Sequence, residues 1–177
     1  MLTVLKKIKT VMNRVIMIVA SILTIVLVLG ALWQVFSRYV LNDPSTFTEE
    51  LLRFLLIWVA MLGTTYAFGS NEHLAIIYLK NKLRDEQRKY LQLFIDFTII
   101  FFAGLILIKG GYSLSTSTLN QLSPILRIPM GYIYAILPIS GTFIVFYQII
   151  NMFERREQTE LAQQAVTSSV SPHTRKE

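Results

Sequence analysis

The chain of 177 residues is 53% hydrophobic and 16% charged, and it contains no cysteine. Its mean hydropathy of +0.51 is too high for an ordinary water-soluble domain of this length. The net charge of +6 comes from lysines and arginines that are scattered between apolar runs. It therefore indicates membrane topology rather than a nucleic-acid surface, which would gather the charges on one face.

Four apolar runs define the predicted architecture. Because roughly 20 helical residues cross the hydrocarbon core, the sequence predicts four transmembrane helices at about 15–37, 51–70, 88–108 and 129–153. The runs lack the alternating pattern of β-barrel strands. The first run has a basic start, as a signal peptide does, but it is too long for one, so a retained helix is predicted. We expect an all-α integral membrane protein with one four-helix domain over 1–156.

The basic residues predict the orientation. Thirteen of the 17 lysines and arginines lie in the N-terminal segment, between the second and third helices, or in the C-terminal tail. Because basic residues are retained on the cytoplasmic side, both termini are predicted to be cytoplasmic. Mixed apolar and basic residues predict a short interfacial segment between helices 2 and 3. Residues 157–177 read as a disordered polar tail, with the alternative that the first part extends the last helix.

The second apolar run begins with the polar stretch "STFTEELLR". Ser45 or Thr48 can cap a helix that starts near Glu49, and Glu49 and Arg53 are four residues apart, which places them on one helix face. Two interpretations follow: a cap with a local ion pair, or a polar contact with a partner subunit. A catalytic role is disfavoured, because no nucleophile, histidine or metal-ligand set lies nearby in the sequence.

A few other residues stand out within or beside the predicted spans. Gly63 and Ala67 form a small-residue face, which more often packs helices than binds a cofactor. Pro138 is expected to bend the last helix. Asp96 is predicted to lie near the cytoplasmic boundary, where it snorkels or pairs with a basic residue. For His73, at the membrane boundary, a structural role is favoured over metal ligation or proton transfer.

The residue types in the spans narrow the function. No histidine lies within a predicted span, which argues against an intramembrane haem subunit. Broken helices and mid-membrane polar residues, which an ion-coupled carrier needs, are not evident. The sequence therefore favours a helical scaffold or accessory subunit of a larger membrane protein. We do not expect this chain to be an enzyme. An independent small carrier or channel, and an assembly or regulatory protein unrelated to transport, are the alternatives.

The order of the motifs resembles the small membrane subunit, a DctQ-like small permease, of tripartite ATP-independent periplasmic (TRAP) transporters. The resemblance covers about residues 10–153 and rests on "EELLRFLLIWVAMLGTTYAF", "EHLAI" and "SPILRIPMGYIYAILPISG". The matching positions, to which it assigns a large-subunit interface or a structural role, are Glu49, Glu50, Arg53, Trp58, Gly63, Ala67, His73, Pro129, Tyr134, Pro138 and Gly141. Family members often carry a basic residue after the second span, where this chain has "GSNEH".

The resemblance implies a mechanism and a set of partners. In that family a large elevator-type permease subunit carries the substrate and sodium sites, and a periplasmic binding protein delivers an organic acid. The small subunit, in the bacterial inner membrane, is the fixed partner in a heterodimer and is surrounded by lipids. The implied substrate is sialic acid, with C4-dicarboxylates and sugar acids as alternatives. No cofactor is expected in this chain, and sodium is expected on the large subunit. The residues that we expect to help dock the binding protein are Asn42, Asp43, Ser45, Asn120, Gln121 and Arg127.

Overall fold

The computed structural model describes the backbone of residues 2–70 and 85–170, and the side chains of residues 5–70 and 90–154. Its helices, in chain order, are α1 (Leu2–Tyr39), α2 (Thr46–Ser70), α3 (Asp85–Phe102), a π-helical segment (Ala103–Gly110), α4 (Gly111–Ser117), α5 (Met130–Tyr134) and α6 (Ile136–Val170). They supply four stretches that are long and apolar enough to cross a membrane: 5–39, 46–70, 90–117 and 130–154. The predicted all-helical, four-span fold is confirmed.

The helices form a bundle in which α6 contacts each of the other three spans. The α1 helix packs on α2, α2 packs on α6, and α6 packs on the π-helical segment and α3. Ile16, Leu62, Ile136 and Tyr147 form the buried cluster where α1, α2 and α6 meet. The loops 40–45 and 118–129 share one end of the bundle, which we name the loop end. The opposite end, where α1 begins, is the terminal end.

Burial differs sharply among the spans. In the most apolar stretch of each, 6% of the residues are buried in the first span, 11% in the second, 11% in the third and 44% in the fourth. Lipid tails are as apolar as leucine, so an exposed apolar side chain carries no penalty in a membrane. The outer surfaces of the first three spans are therefore free to face lipid or another subunit.

The third span contains a feature that the sequence did not predict. Between α3 and α4 the helix widens into the π-helical segment Ala103–Gly110, a form that is rare and often found at functional sites. This region lies close against α6: a Cβ atom added at Gly111 would be 2.8 Å from Leu137 Cβ, and one added at Gly141 would be 2.7 Å from Leu107 Cβ. The third span is therefore irregular, although no broken helix was evident in the sequence.

The fourth span is interrupted at Ala135, between α5 and α6. Pro138 has no N–H to donate to the carbonyl of Tyr134. The bend that was predicted at Pro138 is therefore a helix break at Ala135, about one turn earlier. The α6 helix then continues to Val170. Residues 157–170 thus belong to α6, which matches the alternative that the first part of the tail extends the last helix. The predicted interfacial segment at 71–84, with His73, and residues 171–177 lie outside the described residues.

Candidate functional site

The α2 helix begins at the loop end with the predicted cap and ion pair. The Thr48 N–H donates to Ser45 Oγ at 3.4 Å, and the two hydroxyls are 2.8 Å apart, so Ser45 is the capping residue. Arg53 Nη2 lies 3.3 Å from Glu49 Oε1, with both side chains more than half exposed. Such an exposed pair contributes only about 0.3–0.5 kcal/mol to helix stability.

The second acid of the motif has a different role, which sequence reasoning missed. Glu50 is 7% exposed, and its Oε2 accepts hydrogen bonds from the backbone N–H groups of Ile125 at 3.0 Å and Leu126 at 2.8 Å. We name this pair of hydrogen bonds the Glu50 clamp. It joins α2 to the loop 118–129. Adjacent helical residues point about 100° apart. Because Glu49 pairs with exposed Arg53, Glu50 turns towards the interior. This difference in direction was the sequence signal for the buried role of Glu50.

The motif residues of α2 divide between two faces. On the inner face, Trp58 Nε1 donates to the carbonyl of Ile133 in α5 at 3.2 Å, beyond the Glu50 clamp along the helix. The outer face follows spacings of three and four residues, and we name it the open face of α2: Glu49, Arg53, Leu56, Ala60, Gly63 and Ala67. Among the described residues, a Cβ atom added at Gly63 would meet nothing within 4 Å beyond its own stretch of helix. The predicted small-residue face therefore exists, and at Gly63 it is open.

Asp96 joins α3 to α6. Its Oδ1 accepts hydrogen bonds from Gln148 Nε2 at 2.6 Å and from Gln92 Nε2 at 2.8 Å. Asp96 is 4% exposed, so the expectation of a snorkelling side chain is wrong: it points towards α6 rather than towards the membrane boundary. A buried carboxylate that accepts hydrogen bonds at mid-helix holds two spans in one register.

A third polar contact closes the terminal end. Lys9 Nζ of α1 donates to Asn151 Oδ1 at 2.7 Å and lies 3.0 Å from Glu154 Oε2, both on α6. Asn151 Nδ2 in turn donates to the carbonyl of Phe68 in α2 at 3.1 Å. Three helices therefore meet at Asn151. The signal in the sequence was the pair of amides at Gln148 and Asn151, three residues apart within the last apolar run.

The remaining predicted residues lie at the loop end or against the π-helical segment. Asn42, Asp43, Asn120, Gln121 and Arg127 are exposed, whereas Ser45 is half-buried at its cap. Asn42 and Arg127 have left-handed backbones, with φ of 52° and 53°. Four residues are at least partly buried in the fourth span and its entry: Pro129, Tyr134, Pro138 and Gly141.

The polar groups thus connect helices rather than form a reaction centre. The Glu50 clamp joins α2 to the loop 118–129, Asp96 joins α3 to α6, and Asn151 joins α6 to α1 and α2. Within the described ranges, no three histidine, cysteine, aspartate or glutamate side chains gather in a way that holds a metal ion. The arrangement joins the helices into one unit that leaves wide apolar surfaces exposed.

Comparison with known proteins identifies the family. The family model described as "Tripartite ATP-independent periplasmic transporters, DctQ component" matches residues 27–158. The chain belongs to this family. It is 28% identical over 149 residues, 84% of this chain and 86% of the relative, to the sialic acid TRAP transporter small permease protein SiaQ of Vibrio cholerae. It is 34% identical over 124 residues, 70% of this chain and 76% of the relative, to a protein of Haemophilus influenzae that is named as a TRAP transporter small permease.

A third relative is a larger permease. The chain is 27% identical over 113 residues to the sialic acid TRAP transporter permease protein SiaT of Haemophilus influenzae, covering 64% of this chain and 18% of that permease. In SiaT the similar stretch is thus a small part of a much larger permease. The protein described here is a small TRAP permease subunit that works with a large permease subunit. It is a multi-pass membrane protein and a transporter component, not an enzyme.

Proposed function

We propose that this chain is the fixed scaffold subunit of a sodium-coupled TRAP transporter in a bacterial inner membrane. It forms a heterodimer with an elevator-type large subunit, which carries the sodium and substrate sites. Both termini lie in the cytoplasm, and the loop end faces the periplasm, where it helps dock the binding protein. The main support for this proposal is the open face of α2. This face belongs to a unit whose polar groups join its own helices to one another.

The open face of α2 has the chemistry of a helix-packing surface. Ala60, Gly63 and Ala67 are small, so a partner helix can approach the backbone closely and gain van der Waals contact. The Glu49–Arg53 pair lies at the loop end of the same face. We therefore assign this face to the large subunit.

The outward side of α3 has the opposite character. Phe94, Phe97 and Phe101 are 68%, 67% and 56% exposed. Bulky aromatic side chains keep a neighbouring backbone at a distance and suit the disordered lipid tails instead. The α3 side therefore faces lipid, and α2 faces the partner.

A rigid small subunit gives a moving partner something stationary to work against. The contacts of Asp96 with Gln148 and of Lys9 with Asn151 tie the outer helices α3 and α1 to the central α6. Because each leaves a buried polar group unpaired if it breaks, internal movement is costly. This supports the role of a fixed anchor.

The substrate is proposed from the names of the relatives alone. SiaQ of Vibrio cholerae and SiaT of Haemophilus influenzae are both named for sialic acid. We propose sialic acid as the transported organic acid, with a C4-dicarboxylate and a sugar acid as comparison substrates.

Uptake into proteoliposomes with an imposed sodium gradient tests the proposed function. The samples are this chain alone, the large subunit alone, and both together, each with and without the binding protein. We expect sialic acid uptake only from the complete mixture with sodium outside. Uptake by this chain alone, or equal uptake by the large subunit without it, would contradict the proposal.

A further inference from the structure

The loop 118–129 has a defined shape outside the spans. The Ser123 N–H donates to the carbonyl of Ile128 at 3.0 Å, and the Met130 N–H donates to the carbonyl of Gln121 at 2.8 Å. Leu122 and Pro129 form an isolated antiparallel bridge. These contacts close the base of a small hairpin, which we name the loop-end hairpin (121–130). They leave its tip, residues 124–127, without a pairing strand.

The Glu50 clamp holds that tip. One carboxylate oxygen receives two consecutive backbone N–H groups, from Ile125 and Leu126, and charged acceptors form stronger hydrogen bonds than neutral ones. The next residue, Arg127, has a φ of 53°, which is uncommon for a residue other than glycine and needs support from its surroundings. The tip conformation therefore depends on a side chain from α2.

The clamped hairpin displays an apolar surface with a basic residue at its edge. Leu122 is 59% exposed and Ile125 is 46% exposed, while Arg127 is exposed beside them. The tip of the hairpin lies between the third span, which ends at Ser117, and the fourth span, which begins at Met130, so it is outside both spans. An apolar centre with a charged rim is the usual composition of a protein interface.

We propose that Glu50 is a positioning residue for docking of the periplasmic binding protein. Its carboxylate fixes the tip of the loop-end hairpin, so that Leu122, Ile125 and Arg127 form one surface for a binding-protein patch with an apolar centre and acidic side chains around it. This inference rests on the proposed function, and it separates Glu50 from Glu49, which lies on the open face of α2.

The clamp itself is tested with a single introduced cysteine, because the natural chain has none. Ser123 lies in the hairpin and is 2% exposed, so Ser123→Cys reports loosening of the loop. The rate of labelling by a membrane-impermeant maleimide is read on this chain after gel separation of the assembled transporter. Glu50→Gln removes the charge from the acceptor, and we expect labelling on the order of tenfold faster. Glu49→Gln, one residue away without a bond to the loop, is the matched control and should label at the parent rate.

Docking is tested by titrating the binding protein in the sodium-driven uptake assay. For Glu50→Gln we expect the concentration for half-maximal uptake to rise on the order of tenfold, with the maximal rate and copurification of the large subunit unchanged. A purely structural role would lower the maximal rate or copurification instead. Equal labelling of Glu50→Gln and Glu49→Gln, or faster labelling with an unchanged half-saturating concentration, would overturn the inference. Uptake by the parent chain alone would overturn the proposed function instead.

A second variant keeps the test decisive if Glu50→Gln fails to assemble. Leu126→Pro removes one of the two donors, at 2.8 Å from Glu50 Oε2, without changing α2 or the three surface residues, and the same rise in labelling and in half-saturating concentration is expected. Where both variants assemble, the double variant should add little to either effect, because both remove the same link. Fully additive effects would overturn the inference, as would a Leu126→Pro variant that labels and docks like the parent.

Discussion

The α1 and α6 helices are both long and apolar, yet they differ in what they contact. In their most apolar stretches, 6% of the residues are buried in the first span and 44% in the fourth. The difference follows the polar residues: α6 carries Ser140, Gln148 and Asn151 at 1–2% exposure. In a membrane, hydrophobicity alone does not distinguish a buried face from an exposed one. A few polar side chains inside an apolar run do distinguish the buried face.

The largest effect is expected from breaking a polar contact of α6. Gln148→Leu removes the donor at 2.6 Å from Asp96 Oδ1 and should lower the free energy of unfolding by about 1–3 kcal/mol. Unfolding in a mixed detergent titration measures it. Ile149→Ala is the matched control, because Ile149 is the next residue and is 43% exposed. If both variants lose the same stability, burial of polar groups on α6 does not explain its central place.

A slightly smaller loss is expected where α6 meets the π-helical segment. A Cβ atom at Gly141 would lie 2.7 Å from Leu107 Cβ and 3.0 Å from Ile108 Cγ1. Gly141→Ala should therefore cost about 1–2 kcal/mol through overpacking, measured in the same titration. Gly104→Ala provides the control, since among the described residues its added Cβ would meet nothing within 4 Å beyond its own stretch of helix. A Gly141→Ala chain as stable as the parent would mean that this contact is loose.

The open face of α2 should respond in association rather than in folding. Gly63→Leu should leave the stability of the isolated chain within about 0.5 kcal/mol, because the added side chain enters open space. In the transporter it should weaken binding of the large subunit by about tenfold or more, since a bulky residue prevents close approach. Copurification at increasing detergent concentration measures this. Gly104→Leu, in the π-helical segment, should retain the large subunit.

The smallest effect is expected at the exposed ion pair. Arg53→Gln removes the 3.3 Å contact with Glu49 Oε1 and should change the stability of the isolated chain by less than about 0.5 kcal/mol. A loss in the same titration as large as that of Gln148→Leu would show that the pair stabilises the isolated chain. A small loss of stability with a clear loss of copurification would place Arg53 in the subunit interface.

Most of the fold could be predicted from the sequence, because uncharged runs of span length have few alternatives in a membrane. The cap at Ser45 and the Glu49–Arg53 pair were also accessible, since both are local. The Glu50 clamp was not, because its donors lie 75 and 76 residues away and are backbone groups that any residue supplies. The π-helical segment was also missed, since no residue type in Ala103–Gly110 specifies it.

The most direct test of the account is photo-crosslinking from the two faces of the assembled transporter. A photoreactive residue replaces Gly63 on the open face of α2 or Phe97 on the outward side of α3, which is 67% exposed. The account predicts a crosslink to the large subunit from position 63, and products with lipid alone from position 97. A crosslink to the large subunit from position 97 but not from position 63 would contradict it.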